Sequence, residues 1–431
     1  MLGLTAASSS SDRQAQARYL LQCVWTMATW VHRRVETVSF RDDRWAVRRV
    51  SVDLTVPSDQ GGAFGDGDGM LVPLTFLRQR QVLRNFDCRD GAGNALPVLT
   101  RAENARVHRD MLLEAAWLAL GHLDETVVAA VAVQARRRAT ELPDLPTEVA
   151  GVSEALGVNP QFNLVNELLR DQFLLLAWMH VCPGDRRVAK FCYDDELPFR
   201  GRAGRDVAAR MGWRNETVEF PARAAAFGQS YHFAVNPPPE VVVDSTDLVE
   251  TVRPDQIGLP EPEVWGERGH LVASGLTIGL RTTVRLELAA RKDGWLQTAV
   301  ASAWVTVLLL LAGAWGFFLD SPSDAAAALV VGLAAFLPAA VARPGEHALA
   351  ARLLSGVRLM LAVLAALAVV AGARLAFFSP GDVDVWWLAL GLLGLFPAAA
   401  LSVSYGHAHK VMARRSNADD PGVRCFREVK G

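Results

Sequence analysis

Ser230-Tyr231-His232 is the cluster in this sequence best suited to chemistry, because it sets a hydroxyl beside a base. Alternate residues of a strand share a face, so Ser230 and His232 are spaced to pair as nucleophile and general base. They are the catalytic candidates, although no third member or oxyanion hole accompanies them. His180 and His270 also fall on or beside predicted strands, where a lone histidine ordinarily hydrogen-bonds into the fold. Asp194-Asp195-Glu196 offers carboxylate oxygens and reads as a solvated acidic turn. Asp66 and Asp68 lie in a Gly/Asp stretch, residues 60–69, that lacks the remaining oxygen ligands of a calcium loop. His407 and His409, beside Lys410, suit a helix-end cap better than a metal site. Zinc-protease, P-loop, nucleophile-elbow, kinase and dinucleotide signatures are all missing. The sequence therefore implies no cofactor and no metal, and favours a non-enzymatic role.

The five cysteines, Cys23, Cys88, Cys182, Cys192 and Cys425, are odd in number and widely spaced, with no CxxC pair. That usage fits a reducing compartment. Cys182 and Cys192 are placed to face each other across a predicted hairpin.

Charge is unevenly distributed along the 431 residues. Residues 296–431 hold 10 Lys+Arg and 8 Asp+Glu, leaving 34 and 38 for residues 1–295. With 51% hydrophobic residues and a mean hydropathy of +0.17, the chain is too apolar to be wholly soluble. Its near-neutral front part has no basic field for nucleic acid. Four apolar stretches, 295–319, 325–342, 353–378 and 385–406, are predicted to span a bilayer, which makes lipid the first partner. Arg374 reads as an interfacial anchor, and Trp295, Trp386 and Trp387 as aromatic belt residues. The loops at 320–324 and 379–384 carry acids and no base. Arg291, Lys292, Arg343, Arg352 and the basic tail 407–431 lie on the opposite side. The positive-inside bias then places both termini and residues 1–292 in the cytoplasm, on a plasma (inner) membrane. No signal peptide is evident. Gly332 to Pro338 also lines up with Gly391 to Pro397, a weak repeat of two helical hairpins.

Residues 1–292 read as an α+β domain, β-rich and sandwich-like, with a helical insertion at about 102–172. Residues 44–56 form a strand, in which a shift of parity suggests a bulge near Arg48-Arg49. Further strands are expected over 82–88, 96–99, 173–181, 187–193, 216–220, 230–235, 241–243, 271–274 and 283–288. Tyr19–Val31 reads as a packed amphipathic helix. Thr100 and Glu103 form a capping box opening a helix that buries Val107, Met111, Ala115 and Leu118.

The phrases Arg49-Val50-Ser51-Val52-Asp53, Leu96-Pro97-Val98-Leu99-Thr100-Arg101, Ser230-Tyr231-His232-Phe233 and Arg343-Pro344-Gly345-Glu346-His347 resemble uncharacterised multi-pass membrane proteins of actinobacteria. The resemblance covers most of the chain and implies architecture, with no activity attached. The expectation is a membrane protein whose cytoplasmic domain binds a protein or small-molecule partner and whose four helices anchor it or transmit the event. The alternatives are a homo-oligomeric channel or pore-forming effector, in which Gly313, Gly332, Gly391 and Gly394 permit close helix packing, and a membrane-associated hydrolase using Ser230 and His232.

Overall fold

The computed structural model describes residues 10–57, 69–78, 83–136, 147–197, 207–251, 263–267, 269–276, 281–314, 347–377 and 383–418, with Gly332, Ala335, Phe336, Pro338 and Ala340. Alternating burial organises its largest sheet. Strand β2 (Trp45–Thr55) turns Ala46, Arg48, Val50, Val52 and Leu54 inward without interruption. The expected bulge at Arg48-Arg49 is absent, because Arg48 itself occupies an inward position. The register shift lies instead on β1 (Val31–Phe40), between Val31 and Arg33.

These two strands are central in a seven-stranded sheet of order β10-β11-β8-β1-β2-β6-β4. Its other members are β4 (Arg84–Asp90), β6 (Arg186–Glu196), β8 (Ser230–Asn236), β10 (Glu263–Glu267) and β11 (His270–Ser274). Pairing is antiparallel except between β1 and β8.

Two different layers share the inner face of this sheet. Over Val50, Val52, Leu54 and Phe191 lies a helical layer, together with the ribbon of β3 (Met70–Arg78) and β5 (Gln172–Met179). The helices are α1 (Ser10–Trp25), α2 (Met27–Trp30), α3 (Arg101–Leu120), α4 (Glu125–Arg136), α5 (Thr147–Val158) and α6 (Pro160–Asp171). Over Val38, Ala46, Tyr231 and Phe233 lies a second sheet, β7-β12-β9, formed by β7 (Glu216–Pro221), β9 (Val241–Thr251) and β12 (Arg281–Ala290). The result is α+β, with α3 to α6 lying between β4 and β5, close to the expected 102–172, and α1 and α2 preceding β1.

Local chemistry accounts for the helix ends. The capping box forms in full, with Glu103 N donating to Thr100 Oγ1 and Thr100 N to Glu103 Oε2. The buried stripe of α3 differs from expectation. Asn104, His108, Met111, Leu112 and Ala115 face inward, while Leu118 is exposed. Asn104 Nδ2 donates to Leu174 O at 2.7 Å, and Leu174 N donates to His108 Nε2 at 3.1 Å. These side chains satisfy the β5 edge where a neighbouring strand would. The expected strand at 96–99 does the same further along, touching β5 through a single bridge, Val98 to Ala177.

The expected hairpin joining 173–181 to 187–193 does not form. β5 and β6 belong to different sheets, so Cys182 and Cys192 do not face each other and both are free. Across the sheet from Cys192 lie Arg49 and Asp87.

Among the described residues, three helices are long and apolar enough to cross a membrane: α8 (Trp295–Ala314), α10 (Ser355–Phe377) and α11 (Val383–Ala418). Large exposed apolar side chains on them, among them Leu308, Leu359, Val370, Leu392 and Phe396, face where lipid would lie. The chain is a membrane protein on this evidence. Among the described residues of the expected 325–342 span, Gly332, Ala335, Phe336, Pro338 and Ala340 are helical, and the remainder lies outside them, as does the stretch 60–68 with Asp66 and Asp68. Trp387 is not a belt residue. It is buried in the bundle, where a Cβ on Gly313 would come within 2.3 Å of its ring. At 36 residues, α11 is about 54 Å long, well beyond a hydrocarbon core of roughly 30 Å. The first part of the expected tail, to Ala418, is therefore a continuation of this helix.

The helices dock directly on the domain. β12 reaches α8 through Arg291–Gly294, with Gly294 at φ +79° closing the turn. A short helix, α9 (Ala348–Leu353), buries Leu349, Ala350 and Leu353 in the core of β7-β12-β9. Further on, Val411 of α11 packs with Val242 and Ala289.

Candidate functional site

At the seam between the two covering layers the inward face of the large sheet turns ionic. Arg34 and Glu36 on β1 are two residues apart and share a face. Arg48 on β2 and Asp195 on β6 project to the same side, with Tyr193 and Tyr231 adjacent. All four charged residues are buried, Glu36 at 1% and Arg48 at 6% exposure.

Pairing makes this burial tolerable. Arg34 Nε donates to Glu36 Oε1 at 2.7 Å, and Arg48 Nη2 donates to Glu36 Oε2. The other end of Arg48 donates through Nη1 to Asp195 Oδ2 at 3.0 Å, and Nη2 also reaches Pro221 O at 3.3 Å. The guanidinium carbons lie over aromatic rings, Arg34 at 5.8 Å from Phe191 and Arg48 at 5.8 Å from Tyr193. Burial alone would push the Glu36 carboxyl up, but Arg48 and Arg34 outweigh it and hold it at about 2. Burial would likewise lower Arg48, yet Tyr193, Glu36 and Asp195 keep it well above its usual value. Burial pushes the Tyr193 phenol up to about 12.

A cavity of about 40 Å³ opens onto this cluster, lined also by Phe76, Leu77, Gln172, Pro221 and Ala224. A water occupies roughly 10–15 Å³ on this measure, so the space suits a few waters or a small polar ligand. Among the described residues Arg48 Nε finds no acceptor. The arrangement can hold a hydrogen-bonding guest between two fixed guanidinium groups. It is poorly suited to proton transfer at neutral pH, since a carboxylate held at about 2 is a weak base.

Beside the cluster, Asp194 receives Arg41 Nη1 and, at 2.6 Å, Asn85 Nδ2. Asn85 stands at φ +52°, a left-handed conformation that asparagine tolerates, at the register shift of β4. Asp194 and Asp195 are thus buried strand residues rather than a solvated turn.

Ser230 and His232 lie on the opposite face of the sheet. They share that face as their spacing requires, but the Ser230 hydroxyl donates to His32 O at 3.3 Å. The His232 ring packs near His270, 6.1 Å between centroids. Burial, with His270 and Arg33 nearby, lowers the His232 pKa. His180 and His270 are exposed. His407 Nε2 meets Asn215 Oδ1 at 3.0 Å, and His409 Nδ1 meets Lys292 Nζ at 3.5 Å, so both fasten α11 to the domain side. No group of three or more His, Cys, Asp or Glu suited to a metal occurs among the described residues.

Sequence reasoning missed Glu36 and Arg48 because charges at inward positions broke the apolar alternation. The signal that could have found them was opposite charge at matching parity on adjacent strands. Comparison with known proteins finds no matching family model and no similar curated protein.

Proposed function

We propose that this is a multi-pass membrane protein whose cytoplasmic domain binds a small polar ligand or a protein partner and passes the event to its helices. One observation carries the reading. Glu36 and Arg48 stand on β1 and β2, and the turn joining those strands is held by the segment that leads into α10. His347 Nε2 meets Phe40 O at 3.1 Å, and Arg352 Nη1 donates to Asp43 O at 3.2 Å. A guest that shifts the ionic cluster therefore moves strands already fastened to a membrane helix.

The topology supports a fourth span at 325–342. α8 leaves the domain side and α10 starts there, so the chain between Ala314 and His347 has to return. Basic residues on the domain side, Lys292, Arg352 and Arg358 among them, support the cytoplasmic orientation. The bundle glycines favour a self-contained unit over a pore, since a Cβ at Gly391 would meet Leu311 at 2.6 Å and one at Gly394 would meet Val307 at 3.2 Å, both in the same chain.

The test is hydrogen exchange on the full-length protein in lipid nanodiscs, comparing wild type with Glu36→Gln. The expected result is faster exchange in peptides covering 347–357 as well as in β1 and β2. Change confined to the strands would defeat transmission. Depolarisation of cells on induction of the full chain, read with a voltage-sensitive dye, would replace it with the pore reading.

A further inference from the structure

Hydrogen bonds around the cavity on the large sheet do not balance, and the imbalance runs one way. Glu36 accepts at both oxygens, from Arg34 Nε and Arg48 Nη2, and Asp195 Oδ2 accepts from Arg48 Nη1. The acids are thus engaged, while donors are left over. Arg34 meets the protein through Nε alone, so Nη1 and Nη2 find no acceptor among the described residues. Arg48 Nε finds none either. Both guanidinium groups line the cavity, and the Arg34 side chain is only 4% exposed, so bulk water does not serve these donors. Unpaired buried donors are costly, and a guest with acceptor oxygens removes the cost.

Formal charge, by contrast, is even. Arg34, Arg41 and Arg48 stand against Glu36, Asp194 and Asp195, with Asp194 taken up by Arg41. The guest is therefore selected by free donors rather than by net charge, and a multiply charged anion such as phosphate is disfavoured. The other part of the lining is apolar, from Phe76 and Leu77 on β3, Pro221 at the end of β7 and Ala224 just beyond it. A volume of about 40 Å³, at roughly 10–15 Å³ per water, is room for about three waters. A carboxylate group carrying one or two further carbons fills that room. The planar fork of a guanidinium matches a carboxylate through two parallel N–H donors, which phosphate-sized or uncharged guests use less well here.

We propose that the cavity binds a short-chain monocarboxylate of the acetate or propionate class, its oxygens held by Arg34 Nη1 and Nη2 and by Arg48 Nε, its alkyl end against Phe76, Leu77 and Ala224. The assignment rests on the reading of this cavity as a ligand site. Seated there, the acid completes the hydrogen bonding between β1 and β2, the strands whose turn is fastened to the segment leading into α10.

Full-length protein in lipid nanodiscs provides the test, with isotope-labelled acetate followed by NMR line broadening and stability read by thermal unfolding. Acetate and propionate should bind with dissociation constants on the order of a millimolar, the scale that so few atoms allow, and should raise the melting temperature. Acetamide, of the same shape without the charge, should bind about tenfold more weakly or worse. Inorganic phosphate and hexanoate should not displace acetate. Arg34→Lys keeps a charge for Glu36 but removes the fork, and should weaken acetate about tenfold or more. Ala224→Leu fills the cavity without touching an ionic group and should abolish binding, its own melting curve showing that it folds. Arg210→Gln, on the short helix α7 (Val207–Arg210) and outside the cavity lining, should bind like wild type. Acetate that fails to bind folded wild type at tens of millimolar leaves water as the guest and overturns the proposal. So does binding unchanged in Arg34→Lys or in folded Ala224→Leu, and so does acetamide or hexanoate binding as well as acetate. Hydrogen exchange keeps this result apart from transmission. Acetate that binds and slows exchange in β1 and β2 but not in 347–357 sustains the carboxylate site and defeats transmission. Absent binding, with Glu36→Gln still felt at 347–357, defeats the carboxylate alone.

Discussion

Glu36 stays ionised where an isolated carboxylate would not, and two arginines are the reason. Removing one partner of such a buried group costs about 3–5 kcal/mol, because the remaining charges lose their compensation. Glu36→Gln and Arg48→Met should each destabilise the full-length protein on that scale in denaturant titrations followed by tryptophan fluorescence. The double variant should lose clearly less than their sum, as expected for residues in one network. Acid acts on the same group. Its folded pKa, about 2, lies below its ordinary 4.5, so its contribution is present above 4.5 and disappears as pH falls through 2. His108 fails earlier. Burial lowers it from 6.5 to about 4, so the fold keeps it neutral and loses on the order of 3 kcal/mol as pH falls from 6.5 to 4. His108→Gln, which retains an acceptor for Leu174 N, should flatten the stability profile between those values. Neither residue was legible beforehand. A charged residue within an apolar run looks like a change of parity until its partners on the next strands are known, and His108 sits on a helix whose simple apolar stripe points elsewhere.

At the scale of elements the sequence spoke clearly wherever one periodicity prevailed. The capping box, the helical insertion, β2, β8, β12 and three of the apolar helices are where pattern and punctuation placed them. β3 was missed because it is buried on both faces and carries Pro73, so it shows no alternation. β1 was missed because Arg34 and Glu36 point inward. Strand partners were less legible than strands: β5 and β6 follow one another in sequence yet pair elsewhere, since an edge capped by α3 frees β5 from its neighbour. Glycines in the helices illustrate the same dependence on context. A Cβ at Gly313 would strike the Trp387 ring at 2.3 Å, one at Gly391 would strike the movable end of Leu311 at 2.6 Å, and one at Gly406 would meet nothing within 4 Å. Thermal unfolding in detergent should therefore rank Gly313→Ala as most harmful, at about 1–3 kcal/mol, and Gly391→Ala as milder. Gly406→Ala should be neutral or gain up to about 1 kcal/mol from helix propensity.

For the molecule as a whole, domain and bundle are joined at several points, and the joints come from widely separated parts of the chain. Leu349 and Leu353 enter the domain core, Trp213 and Met211 reach back to α11, and β12 runs into α8. α11 has the further property of length. Seven residues beyond Ser404, about 10 Å along the helix, Val411 rests against Val242 of β9 and Ala289 of β12. A rod held by lipid along one half and by protein along the other behaves as a lever. If the bilayer thins and the helix leans by about 10°, Val411 moves by roughly 2 Å, and the sheet it touches must follow or let go. A change in membrane thickness would then reach the domain as a load on the Val411 contact, with no ligand needed.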